Sequence, residues 1–225
     1  MKAILLAAGM GTRLRPITID TPKALVKVNG IPMLERQIEY LKEIGINEII
    51  VATGYLSDKF EYLKKKYGVK LIHNDKFDVY NNIYTMYLIK SYLNDAYVIE
   101  GDVYINKNFL KKDIHRSTYF SAYRNFKDEW KIIYDEDKRV TDIEIGSGQG
   151  YILSGVSYWN EEDGLYIQNK LEEIITTNGF ENLYWDDVVK DNIKNLNVFI
   201  EKISSDYCYE IDSISDLENV NNKFI

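Results

Sequence analysis

Residues 6–25 read LAAGMGTRLRPITIDTPKAL. A short apolar run gives way at Gly9 to two glycines, two arginines, two prolines and a lysine. Upstream, KAILLAA over residues 2–8 is almost continuously apolar, which suits a strand buried on both faces of a parallel sheet. Ligands bind such sheets where strands end and helices begin, and the turn Ala8-Gly9-Met10-Gly11 lies at that edge. Glycines there let backbone N–H groups approach phosphate oxygens with no side chain in the way. Arg13 and Lys23 are placed to add charge-assisted hydrogen bonds to the same polyphosphate. The stretch reads as a triphosphate cradle, the plainer alternative being a glycine turn beside solvated cations. It is not a dinucleotide fingerprint, because the third glycine is absent, and no Gly-Lys-Ser/Thr follows to make a P-loop.

Working outward, strands and helices alternate. Strands are expected at residues 48–54, 69–73 and 96–102, and helices at 32–45, 58–68 and 81–93. This alternation indicates β-α-β crossovers, hence a mostly parallel, Rossmann-like mixed α/β sheet with helices on both faces. After Asp102 the texture changes to short runs broken by Asp, Lys and Gly, more like antiparallel hairpins. Helical patterns return at 161–175 and 184–194, followed by a strand at 198–203 and a closing helix near 213–220. With no Pro-, Gly- or Ser-rich linker, residues 1–225 read as one domain, with a small antiparallel insertion at about 115–160 forming a wall of the site.

The charge balance narrows the partner. Net charge is −7, which argues against a nucleic-acid or anionic-membrane binder. Residues 11–27 resist that trend: Arg13, Arg15, Lys23 and Lys27 face only Asp20, so a small anionic ligand is expected. Cys208 is the only cysteine, which excludes an intrachain disulfide and suits a reducing cytoplasm. No stretch approaches the roughly 20 apolar residues that span a bilayer.

The full string is more specific than its parts. Gly9, Gly11, Thr12, Arg13, Pro22 and Lys23 resemble the G-x-G-[ST]-R and later P-K signature of the nucleotidyltransferases that activate sugar phosphates and related phosphate esters. The segments YGVKLIHNDKF, YNNIYTMYL, RSTYFSAYR, LSGVSYW and LYWDDVVKDNI extend the likeness to the bacterial choline-phosphate cytidylyltransferases of that superfamily. The resemblance implies the nucleotide-diphospho-sugar transferase type of fold. It also implies Mg²⁺-dependent attack of phosphocholine on the α-phosphate of CTP, in a monomer or homodimer. Arg13, Lys23 and Asp102 are then the catalytic residues. The nucleotide lies on Leu6, Ala7, Ala8, Gly9, Gly11, Thr12, Arg13 and Lys23, with Asn82 and Thr85 at the base.

Asp102 ends a strand at the same edge, where an acid suits Mg²⁺. A second metal carboxylate comes from YWDD, as Asp186 or Asp187, and the resemblance favours Asp186. Trp130, Tyr184 and Trp185 are candidates for a cage around a quaternary ammonium. Arg124 or Lys190 is the candidate for the acceptor phosphate. Other acceptors remain open: phosphoethanolamine, 2-aminoethylphosphonate or a sugar 1-phosphate. A nucleotide-sugar glycosyltransferase would share the Glu-x-Asp strand end but lack the glycine–arginine loop, and a non-catalytic nucleotide-binding module would not need both carboxylates.

Overall fold

The structure is a computed structural model and describes residues 1–224. In chain order, β1 (Lys2–Ala7) leads through 3₁₀ turns to the two-residue pair β2 (Lys27–Val28) and β3 (Ile31–Pro32). Then come α1 (Met33–Glu43), β4 (Ile49–Thr53), α2 (Tyr62–Tyr67), β5 (Lys70–His73), α3 (Asn82–Ile89), β6 (Ala96–Glu100) and β7 (Val103–Ile105). The second half holds β8 (Thr118–Tyr134), β9 (Val140–Trp159), α4 (Glu161–Ile174), α5 (Trp185–Asn192), β10 (Phe199–Ile203), β11 (Cys208–Glu210) and α6 (Ile214–Lys223).

Seven strands form one sheet in the order β10-β8-β9-β6-β1-β4-β5. The pairs β6–β1, β1–β4 and β4–β5 are parallel, as the crossovers require, while β9 runs antiparallel to both β6 and β8. Strand pleating divides β1 between two cores. Ala3 and Leu5 pack with Leu34, Ile38 and Leu41 of α1 and Leu63 of α2. Ile4 faces the other way, onto Ile83 and Met86 of α3, Leu171 of α4 and Val188 of α5. A third core, with Val28, Met33, Tyr104, Ile211 and Leu217, holds α6 against the front of the molecule.

The segment read as an insertion takes the form of the β8–β9 ribbon. Its inner ends belong to the main sheet, where Thr118 pairs with Tyr158 and Ser121 with Leu153. Farther out the register shifts between Phe126 and Glu129, with Asp128 at φ 57°. Lys131 pairs with both Glu144 and Ile152, so the ribbon doubles back on itself. Two short features escaped the sequence: the β2–β3 pair, and β7 with its antiparallel partner β11. The helix expected at 81–93 is α3 followed by a 3₁₀ turn at Lys90–Tyr92.

Candidate active site

A cavity of about 710 Å³ opens at the carboxyl ends of β1 and β6. The start of α3 borders it on one side, the start of α5 on another, and the folded ribbon closes it through Asp128, Glu129, Trp130 and Ile145. Leu6, Ala8, Gly9, Arg13, Asn82, Thr85, Asp102, Trp130, Tyr184, Trp185 and Asp186, all singled out in the sequence, line this one space.

The glycine loop sits at its edge. Gly11 adopts φ 61°, and a Cβ there would stand 2.7 Å from Lys23 Cβ, so only glycine lets the lysine pack against this turn. The Thr18 hydroxyl donates to the Gly11 carbonyl at 2.8 Å and fixes the loop's return. Among the described residues, the backbone N–H groups of Met10, Gly11 and Thr12 meet no protein acceptor. Such a row of unpaired amides suits an anion. Ala7 instead turns into the core beside α1, at 6% exposure.

Lys23 joins the loop to the acids. Its Nζ donates to Asp102 Oδ2 at 2.5 Å and also to Asp212 Oδ1. Arg13, largely exposed, reaches the same Asp212 oxygen at 2.9 Å. Asp102 is placed by Gly101, whose N–H donates to the Leu6 carbonyl at 2.8 Å. A Cβ at Gly101 would fall 2.7 Å from that carbonyl oxygen, so a side chain there would push β6 off β1. Asp212 arrives through β11: Glu210 pairs with Val103, and the Ile211 N–H donates to the Asp102 carbonyl at 3.1 Å.

Eight carboxylates line the cavity, and Arg13 is the only lysine or arginine among the lining residues described. Glu100, Asp102 and Glu210 present oxygens that all lie within 4.8 Å of one another. Asp102 Oδ1 is buried and has no hydrogen-bond partner. An orphaned carboxylate oxygen in a cluster of like charge suits a hard divalent cation with oxygen ligands. The electrostatics bear the crowding out. Burial, then repulsion from Asp102, Asp186 and Glu210, holds the Glu100 carboxyl well above the ordinary range. Burial with Asp102 and Asp212 nearby raises Glu210 to about 8. Burial opposes the Lys23 ammonium, yet the attraction and hydrogen bonds of Asp102 and Asp212 outweigh it and raise its pKa.

Asp186 has a different setting from Asp102. It accepts a hydrogen bond from the buried Tyr119 hydroxyl at 2.9 Å. Burial raises its carboxyl to about 7 against the lowering effect of that bond. Thus the structure brings Asp212, rather than Asp186, onto the lysine that Asp102 shares. Asp212, Glu210, Glu129 and Tyr119 were all missed from the sequence. The one visible signal was Ser213-x-x-Asp216, a capping box that starts α6 directly after Asp212.

The aromatic candidates divide. Trp130 and Tyr184 meet edge to face, with ring centroids 6.2 Å apart, and make a corner of the cavity. Trp185 lies beneath, 2% exposed and packed edge to face on Trp159. Two basic candidates lie elsewhere. Arg124 donates to the Ser205 and Cys208 carbonyls and lines a neighbouring hollow of about 470 Å³. Lys190 pairs with Asp191 at 3.0 Å and does not line the cavity. Thr85 is buried, its hydroxyl accepting from Asn74 Nδ2 at 2.9 Å.

Known proteins share this architecture. The MobA-like NTP transferase domain family matches residues 3–99. A choline-phosphate cytidylyltransferase of Streptococcus pneumoniae is 52% identical over 217 residues, covering 96% of this chain and 95% of its own. A choline-phosphate cytidylyltransferase of Haemophilus influenzae is 41% identical, covering 98% of this chain and 96% of its own. The solved structure of the Streptococcus pneumoniae CTP:phosphocholine cytidylyltransferase matches with a TM-score of 0.97 at 49% identity, over 100% of this chain and 99% of that one.

Proposed function

The chain belongs to the family of bacterial choline-phosphate cytidylyltransferases, and we propose that it joins CTP and phosphocholine to give CDP-choline and pyrophosphate. The observation that carries this reading is a single cavity holding both halves of the chemistry. Arg13, the acids joined to Lys23 and the Trp130–Tyr184 corner all border it.

The triphosphate tail lies on the unpaired amides of Met10, Gly11 and Thr12, with Arg13 beside it, and the base reaches toward Leu6–Gly9 backbone, Asn82 and Thr85. A phosphate oxygen of the acceptor forms a bond to the α-phosphorus of CTP while the bond to the bridging β-oxygen breaks in line. The electron pair leaves on pyrophosphate. A phosphate monoester loses its second proton at about pH 6, so the nucleophile needs no general base. Neither His73 nor His115 lines the cavity, as that economy allows. Lys23 meets charge that grows on the transferring phosphoryl group, and Arg13 charge on the departing one. Mg²⁺ is the proposed cofactor: Asp102 with Asp212, flanked by Glu100 and Glu210, would hold it, and it would neutralise phosphate charge.

The trimethylammonium head packs against Trp130 and Tyr184, with Glu129 and Asp187 supplying negative charge nearby. Those same carboxylates favour a second reading, in which the acceptor is a primary amine such as phosphoethanolamine or 2-aminoethylphosphonate. Pyrophosphate release from CTP across these three acceptors and a sugar 1-phosphate separates the readings. Phosphocholine should be turned over fastest, and faster turnover of an amine would overturn the choline assignment.

Among the described residues no helix is long and apolar enough to cross a membrane. The single, buried Cys208 fits a reducing cytoplasm, and we place the enzyme there as a monomer or homodimer.

A further inference from the structure

The N-termini of two helices meet at one side of the cavity. Asn82 is the first residue of α3, and its Oδ1 accepts the backbone N–H of Trp185, the first residue of α5, at 2.9 Å. That N–H is one of the four that a helix start leaves unpaired. Two further bonds run alongside. The Asn81 N–H donates to the Glu181 carbonyl at 2.8 Å, and Asn81 Nδ2 to the Asn182 carbonyl at 3.2 Å. The rings of Tyr80 and Phe180 pack with centroids 5.1 Å apart. The segment that presents Tyr184 is therefore fastened to the junction that begins α3.

Asn82 is the member of this set that lies between the two subsites. It lines the cavity with Gly9 and Thr85 on the nucleotide side, and with Tyr184 and Asp186 on the acceptor side. Its oxygen is committed to Trp185, while its Nδ2 has no protein acceptor among the described residues. We propose that Asn82 is a positioning residue for the acceptor: through the Trp185 N–H it holds the Tyr184 wall in register with the nucleotide. The proposal rests on the cytidylyltransferase reading and adds to it a role for a side chain expected only at the base.

The start of α5 does not depend on this bond. The Tyr184 N–H also donates to Asp187 Oδ2 at 2.9 Å, in a capping box of its own. Removing the Asn82 oxygen leaves the helix formed and frees its placement.

The test is calorimetric titration of phosphocholine into enzyme saturated with Mg²⁺ and α,β-methylene-CTP, a nucleotide that cannot react. Asn82→Asp keeps an oxygen for the Trp185 N–H and should bind phosphocholine within about twofold of the unaltered enzyme, whereas Asn82→Ala should bind it about tenfold more weakly. Asn82→Gln displaces the oxygen by one methylene and should lose affinity in the same direction, which keeps the question answerable if the alanine variant does not fold. Undiminished binding in the alanine or glutamine variant overturns the proposal, as does a loss in the aspartate variant equal to that in alanine. Failure of the unaltered enzyme to take up phosphocholine would be a different result, striking the cytidylyltransferase reading itself.

Discussion

Lys23 and Asp212 stand 189 residues apart in the chain, yet the lysine ammonium is shared between Asp212 and Asp102. One positive charge holds two carboxylates that would otherwise repel across the floor of the cavity. Removing it should act on the reaction and on the fold. Lys23→Ala should lower kcat by about 10²–10³-fold, the effect of losing one preorganised oxyanion donor. The same variant leaves Asp102 without its cation and Asp212 with Arg13 alone, so added Mg²⁺ should raise its melting temperature more than it raises that of the unaltered protein. Equal shifts would show that lysine and metal do not compete for these acids.

The metal assignment separates two aspartates. Manganese binding, followed by electron paramagnetic resonance with CTP present, should weaken roughly tenfold or more in Asp102→Asn and Asp212→Asn. Asp186→Asn should retain nearly all of its affinity, because Asp186 is engaged with Tyr119. Loss of the signal in Asp186→Asn alone would return the second ligand to the position first expected from the sequence.

The contrast between those aspartates shows what the sequence made legible. The loop from Gly9 to Lys23 is read locally, because a buried strand, two glycines and fixed cations all lie within one short stretch. Asp102 is legible for the same reason, standing just past the end of β6. Asp212 is not. It reaches the site through β7 and β11, strands of three residues each whose pairing leaves no periodic signal. The resemblance pointed to Asp186, the aspartate that follows Tyr184-Trp185. Arg124 and Lys190 carried charge but no cue to direction, and the fold turns them to carbonyls and to Asp191. Of the basic island, Arg15 and Lys27 are exposed and make no ion pair among the described residues.

The aromatic corner should govern the acceptor and spare the nucleotide. A cation–π contact contributes about 0.5–2 kcal/mol, so Trp130→Ala and Tyr184→Ala should each raise the KM for phosphocholine by about 2- to 30-fold. The KM for CTP should stay within about twofold. Tyr184→Phe, which keeps the ring, should resemble the unaltered enzyme. A comparable rise for CTP would show that the corner does not distinguish the two substrates.

Stability without metal should fall as pH rises. Burial lifts Asp186 from its ordinary 3.8 to about 7, and burial with acidic neighbours lifts Glu210 from 4.5 to about 8. In that interval the folded chain keeps protons that the unfolded chain has released, so each upward step in pH favours unfolding. The loss should begin near the ordinary carboxylate values and level off above about pH 8. Asp186→Asn removes its share, on the order of 1–3 kcal/mol between about pH 5 and pH 8. Its melting temperature should therefore drop less over that range than that of the unaltered protein. Parallel melting curves would mean that Asp186 ionises in the fold as readily as in water.

Phosphorus NMR of the reaction itself tests the central claim most directly. Enzyme with CTP, phosphocholine and Mg²⁺ should convert the phosphocholine resonance into the paired diphosphate resonances of CDP-choline, with one pyrophosphate formed per product. Lys23→Ala and Asp102→Asn should leave the phosphocholine signal nearly unchanged over the same time. No CDP-choline from the unaltered enzyme, or undiminished formation by both variants, would contradict the account.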